Sequence, residues 1–307
     1  MDSAPIMTLL WIPLTIAAAF TQNVRSALQK HLKDRLGTTG ATFVRFGYGF
    51  PFAIAWLLAL SAATGRAIPE PNARFAAFIV LGGLAQILAT GLLVSLFDRR
   101  NFAVGTTYSK TETVQAAIFA IVFFGEAISP ADITGILVSL AGVVAISAAR
   151  SPAGLKSLAT SLAERPALIG LASGGAFGVA AVSVRESSLS LGGDGFVMQA
   201  LFTLACMTTF QTVVMALWMA WRCPHELRES LAAWKIAVWV GLAGAAASAG
   251  WFSAMTIQTA ALVRALGQIE LIFTIASSVL FFRERILRLE IIGIALVVAG
   301  ILILLLL

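Results

Sequence analysis

Charge is what this chain has least of. Asp, Glu, Lys and Arg make up 12% of its 307 residues, against about 25% in soluble globular domains. Histidine, cysteine and tyrosine occur twice each, and the scarcity excludes much chemistry. His31 and His225 stand far apart, in segments read as loops, so no metal-ligand cluster is expected. Cys206 falls in an apolar run and Cys223 in the loop after it, with neither a metal spacing nor a disulfide framework. There is no P-loop, no His-Glu-x-x-His helix and no nucleophile elbow, so direct use of a nucleotide is not expected. Ser109 and Lys110 are neighbours, but adjacent helical positions point about 100° apart, unlike a working Ser–Lys dyad. No cofactor and no metal are expected. The opening MDSAPIM carries an acid where a signal peptide carries basic residues, so the first apolar run is expected to be retained.

Apolar residues are what the chain has in excess, at 59%. Ten runs can be read, at about 5–30, 39–64, 74–97, 103–124, 130–149, 166–185, 195–221, 233–258, 261–282 and 288–307. About 20 apolar residues cross the hydrocarbon core as a helix. The runs are solid rather than alternating, which excludes a transmembrane β-barrel. The expected class is an all-α integral membrane protein with ten transmembrane helices, lodged in the lipid bilayer of the cytoplasmic (inner) membrane. The net charge of +6 comes mainly from loops after the odd-numbered runs, through residues such as Lys30, Lys33, Arg35, Arg99, Arg222, Arg228 and Lys235. Basic short loops stay cytoplasmic, which places both termini outside. Cations scattered over short connections do not make a nucleic-acid surface. The pattern specifies no oligomeric state.

The chain also repeats itself. Moved by 158 positions, FFGEAISPADITGILVSLAGV from Phe123 falls on FFRERILRLEIIGIALVVAGI from Phe281. Glu126 meets Glu284, Gly135 meets Gly293, Gly142 meets Gly300, and upstream Glu112 meets Glu270. The expected organisation is a first five-helix repeat at 1–149, a connection at 150–165 and a second repeat at 166–307. Five is odd, so the second copy enters from the opposite face, giving inverted repeats with a binding site between the halves. Leu155, Leu158 and Leu162 in the connection fit either a short interfacial helix or a plain linker. Gly170, Gly174 and Gly178, and Gly241, Ala245 and Ala249, read as small-residue packing stripes. Pro13 and Pro51 lie inside the first two runs and are expected to bend them or free a carbonyl.

Two copies carrying Phe-Phe-x-Glu, a glycine nine residues after that glutamate and a later Ala-Gly resemble the EamA-type members of the drug/metabolite transporter superfamily. The resemblance covers nearly the whole chain and is sharpest at 123–142 and 281–300. It implies a ten-helix carrier of small metabolites, often an exporter of amino acids or related compounds. Two departures stand out. Many relatives have glycine before the turn glutamate in both copies, where this second copy has Arg283. Relatives commonly have cytoplasmic termini, opposite to the loop charges here.

Ionisable residues inside apolar runs are costly and are read as functional. Glu112 lies nine residues into its run, roughly 13 Å along a helix, and Glu270 is its counterpart. Tyr108, Ser109, Glu112 and Gln115 share a helical face, whereas Lys110 points elsewhere. Arg264 and Gln268 form a stripe in the ninth run; Asn23 and Arg25 lie in the first, Arg45 and Tyr48 in the second, and Trp251 in the eighth. These twelve are the candidate substrate-binding residues: Glu112, Lys110, Tyr108, Gln115, Glu270, Arg264, Gln268, Arg25, Asn23, Arg45, Tyr48 and Trp251. Four cations against two acids point to a small-molecule substrate with a carboxylate, such as an amino acid, moved by alternating access. An exporter of organic cations is the alternative, ahead of a membrane-embedded enzyme or a helical scaffold.

Overall fold

The computed structural model describes residues 9–96, 107–149, 164–193, 195–282 and 286–306, and every regular element among them is helical. In chain order these are α1 (Trp11–Gly47), α2 (Phe50–Thr64), α3 (Ala73–Ser95), α4 (Glu112–Phe124), α5 (Pro130–Ala149) and α6 (Arg165–Ser190). They continue with α7 (Phe196–Arg222), α8 (Pro224–Ala232), α9 (Trp234–Ile257), α10 (Ala260–Leu266), α11 (Glu270–Phe282) and α12 (Arg288–Leu306). A 3-10 turn, Gly267–Ile269, joins α10 to α11. The expected interfacial helix at Leu155, Leu158 and Leu162, and the loop or turn residues Arg99, Arg283 and Glu284, lie outside the described residues.

Seven helical segments among the described residues are long and apolar enough to cross a membrane: 35–64, 73–95, 130–149, 165–190, 196–222, 234–257 and 288–306. The first, fourth and ninth runs are not among them. The first run is described only from residue 9 on. The fourth and ninth are interrupted, leaving α4 and α11 with 13 residues each, about 20 Å of helix.

The start of the chain departs from its sequence reading. Lys30, His31, Lys33 and Arg35 were expected in a loop, but helix runs through them to Leu36. The stretch Arg25–Leu36 is rich in good helix formers, and only Gly37, at φ 68 and ψ −175, breaks the spiral. That region of backbone space belongs essentially to glycine. The break frees the N–H groups that open the segment 38–47, and Glu226 from α8 answers them. Its Oε2 accepts from the Gly40 N–H at 3.1 Å, a carboxylate cap supplied from another helix. Pro13 and Pro51 each follow an interruption of the helical bonding. Regular helix starts at Trp11 and at Phe50, so each proline lies in a first turn, where a missing N–H costs nothing, just after turn residues at Leu10 and at Tyr48–Gly49.

His225 is likewise on a helix, α8, with Glu229 Oε2 3.6 Å from its Nε2. Cys223 stands just before α8, and burial together with the Glu226 carboxylate pushes its thiol above the ordinary value.

The chain divides into two compact units, 1–87 with 180–259, and 88–179 with 260–307. Their boundaries fall within α3 and α6, so the units mix the two halves of the sequence. In the first unit α9 packs along α1, where a Cβ on Gly250 would lie 2.9 Å from that of Ala18. A Cβ on Gly241 would lie 2.4 Å from the Tyr48 carbonyl. Both glycines are needed for that approach.

In the second unit α5 packs along α12 through glycines. A Cβ on Gly142 would lie 2.6 Å from the Gly293 oxygen, and one on Gly293 2.7 Å from the Gly142 oxygen. Gly135 meets Leu304 and the Gly300 oxygen, while Gly300 meets Ser139 and the Gly135 oxygen. In the 158-position register Gly135 corresponds to Gly293 and Gly142 to Gly300. The two contacts therefore exchange under that register, the reciprocity of a local two-fold. The helix starts correspond too. Asp132 accepts from the Ser129 N–H at 3.0 Å, with Ser129 Oγ accepting from the Asp132 N–H, a capping box. Glu290, its counterpart, accepts from the Leu287 N–H at 2.9 Å. Gly125, at φ 63, ends α4 before the turn.

Candidate functional site

Both midpoint glutamates begin a helix. After a helical turn at 107–109 the chain tightens, with Lys110 N–H bonded to Thr107 O at 3.1 Å and Thr111 N–H to Tyr108 O at 3.2 Å. Regular helix resumes at Glu112. In the second half α10 stops at Leu266, one 3-10 turn follows, and α11 begins at Glu270. The sequence reading has continuous helices here; the structure has equivalent breaks. Hydroxyls explain the first. Thr111 Oγ1 donates to Tyr108 O at 2.6 Å, the local side-chain bonding that competes with helix. Gly267, a poor helix former, sits at the second. Each carboxylate thus stands at a helix N-terminus, where the backbone dipole favours negative charge.

The cations reach across to these acids. Lys110 Nζ is hydrogen-bonded and ion-paired to Glu270 Oε1. Arg264 Nη1 lies 3.7 Å from Glu112 Oε1. Each glutamate is therefore met by a cation from the other half of the sequence, and four charges balance within one unit. The Arg264 guanidinium also lies over the Phe177 ring, 6.0 Å from its centroid, a cation–π contact. The Gln115 amide donates to Thr111 Oγ1 at 2.8 Å and to the Leu171 carbonyl at 3.3 Å. It runs alongside Gly174 and Gly175, where a Cβ would come within 3.2 and 2.7 Å of it. Gln268, 2% exposed, buries an Oε1 with no hydrogen-bond partner among the described residues. Such an atom in a native fold calls for an explanation. Tyr108 is half-buried against Ala148 and Ala167.

The remaining candidates belong to the first unit. Arg25 and Arg45 are both buried and flank the same glycine: a Cβ on Gly244 would lie 3.5 Å from Arg25 Cδ and 3.6 Å from Arg45 Cγ. Trp251 Nε1 donates to Gln22 Oε1 at 3.1 Å, one residue before half-buried Asn23. Tyr48 packs with Leu32, Leu36 and Val44, and its hydroxyl donates to the Ser230 and Leu231 carbonyls of α8 at 3.2 and 3.0 Å. Sequence reasoning named the ionisable groups but missed Phe177, Gly244 and Glu226. Gly244 is adjacent to the predicted stripe at Gly241 and Ala245. Nothing at Glu226 announced a cap for a helix nearly two hundred residues away.

Apolar helices long enough to cross a membrane point to a multi-pass helical membrane protein. The sequence profile of the EamA-like transporter family matches residues 9–148 and again 168–306. The chain belongs to that family and is a membrane transporter, consistent with a small-molecule substrate. One solved structure, described only as the crystal structure of a protein, superposes with a TM-score of 0.67 at 16% identity, covering 97% of this chain and 94% of its own. At that identity the likeness concerns the fold alone. A search of the curated proteins returns no match.

Proposed function

We propose that the chain is a ten-helix secondary transporter of small zwitterionic metabolites, amino acids first among them, which it exports across the cytoplasmic membrane by alternating access. The five-helix repeats, 1–149 and 166–307, are inverted copies in this reading. The observation that carries it is the crossed pairing of Lys110 with Glu270 and Arg264 with Glu112 at equivalent helix breaks. Two acids and two bases in one unit match a solute that itself carries one charge of each sign. A substrate ammonium competes with Lys110 for Glu270, and a substrate carboxylate takes the guanidinium fork of Arg264, whose planar donors suit bidentate binding. Charges moved from water need such replacements, because removing one partner of a buried pair costs about 3–5 kcal/mol. The unmet Gln268 oxygen adds an acceptor for the ammonium.

Reconstituted protein tests this directly. Uptake into proteoliposomes is expected to saturate with amino acids and to fall with Glu270→Gln and Arg264→Gln. Saturable flux of organic cations without amino-acid flux would reverse the assignment. Turnover of a substrate in detergent, with no second compartment, would replace the transporter reading with an enzymatic one.

A further inference from the structure

We propose that α8 and the helix ends beside it form a binding site for the headgroup of an anionic phospholipid. The helix has two unlike faces. Its inner face is used within the protein: Glu226 caps the Gly40 N–H, Ser230 and Leu231 offer carbonyls to Tyr48, and Leu227 packs on Phe43, Phe46, Met215 and Met219. Its outer face is not covered. Arg228 is exposed one helical turn after His225, with Arg222 exposed before the helix and Lys235 after it. The acid on this outer face, Glu229, faces His225.

Aromatic rings bracket the same face. Trp221, 76% exposed, ends α7, and Trp234, 56% exposed, begins α9. The Arg222 guanidinium lies 4.8 Å from the Trp221 ring centroid. Both helices are long and apolar enough to cross a membrane, so exposed tryptophans at their adjoining ends belong at headgroup depth. Leu231, 55% exposed on α8 between them, supplies an apolar side chain at the same level. Exposed aromatic and aliphatic groups at the adjoining ends of two membrane-length helices suit a lipid rather than a soluble partner. Three cations among them require a negative headgroup rather than a zwitterionic one. The inner contacts give the site a consequence. A lipid that holds α8 at the surface also holds the cap on the 38–47 segment, which carries Arg45.

The test titrates the intact detergent-solubilised protein with phosphatidylglycerol or phosphatidylcholine and reads bound lipid by native mass spectrometry. Phosphatidylglycerol is expected to bind at least about ten-fold more tightly, and the combined Arg222→Gln, Arg228→Gln and Lys235→Gln substitutions to weaken it roughly a hundred-fold. Equal binding of the two lipids, or an unchanged preference in the triple variant, overturns the proposal. A second measurement does not depend on that variant folding. In vesicles, brominated phosphatidylglycerol is expected to quench wild-type tryptophan fluorescence more than brominated phosphatidylcholine, and Trp221→Phe with Trp234→Phe to remove the difference. Equal quenching of the wild type by both lipids counts against the site.

Discussion

In the unit 88–179 with 260–307, the pair α5 and α12 and the pair of breaks at 110–111 and 267–269 come from the same repeated stretch, yet they treat polarity in opposite ways. Along α5 and α12 the backbones meet at glycines, where an added Cβ would lie 2.6–3.0 Å from the facing carbonyls. At the breaks, long charged side chains cross between halves, and the Lys110 side chain keeps 22% of its exposure. Close packing without side chains resists relative movement, because lipid offers little hydrophobic drive and van der Waals fit carries the association. Ion pairs between flexible side chains can be exchanged for a solute's own charges. The same repeated stretch thus holds one close backbone contact and one contact between long charged side chains.

The sharpest way to break this contrast is to fill the glycine seam. Gly142→Leu is expected to lower stability by about 3 kcal/mol or more, at or above the usual cost of overpacking. A thermal melt of the detergent-purified variant that matches wild type would show that the seam is not tight. The charged contact should behave differently. Glu270→Gln is expected to cut amino-acid flux at least ten-fold while lowering stability by only about 1–2 kcal/mol, less than a fully buried pair because Lys110 remains partly wet. The Lys110→Met with Glu270→Met double variant should recover the melting temperature and not the flux. Recovery of both would make the pair merely structural.

Glu226 sharpens the comparison from the other unit, since it is a carboxylate used as a cap. Glu226→Gln is expected to cost about 0.5–2 kcal/mol, the usual range for a lost helix cap, and to leave substrate affinity unchanged. A shift in the concentration giving half-maximal flux would assign Glu226 a part in transport. The smallest effect concerns Cys223. Its raised pKa keeps the neutral thiol dominant to higher pH, so less thiolate is present at neutrality and maleimide labelling is slow. In a Cys206→Ala background, labelling should speed up as pH rises through the alkaline range. Glu226→Gln, which removes one of the two causes, should speed it at a given pH. No change with that substitution would show that burial alone sets the reactivity.

Periodicity and composition carry far in a membrane protein because backbone groups in lipid must be satisfied within the segment, which leaves helices as the outcome for solid apolar runs. The register that equates Gly135 with Gly293 and Glu112 with Glu270 was open in the bare sequence, as was the choice of Lys110, Glu112, Arg264 and Glu270 as the groups out of place in their surroundings. The two runs interrupted among the described residues are those carrying Lys110 and Glu112, and Arg264 and Glu270. Local rules fail where candidate binding groups sit. Partner choice was decided only in three dimensions. Lys110 is two residues from Glu112 yet binds Glu270, because a tightened turn and a second broken helix bring distant charges within reach. The cap on the segment after Gly37 also belongs to the folded state, since Glu226 reaches the Gly40 N–H from α8. Apolar pattern is a property of neighbours along the chain and can be read there; ion pairing depends on distances set by packing between segments far apart in sequence.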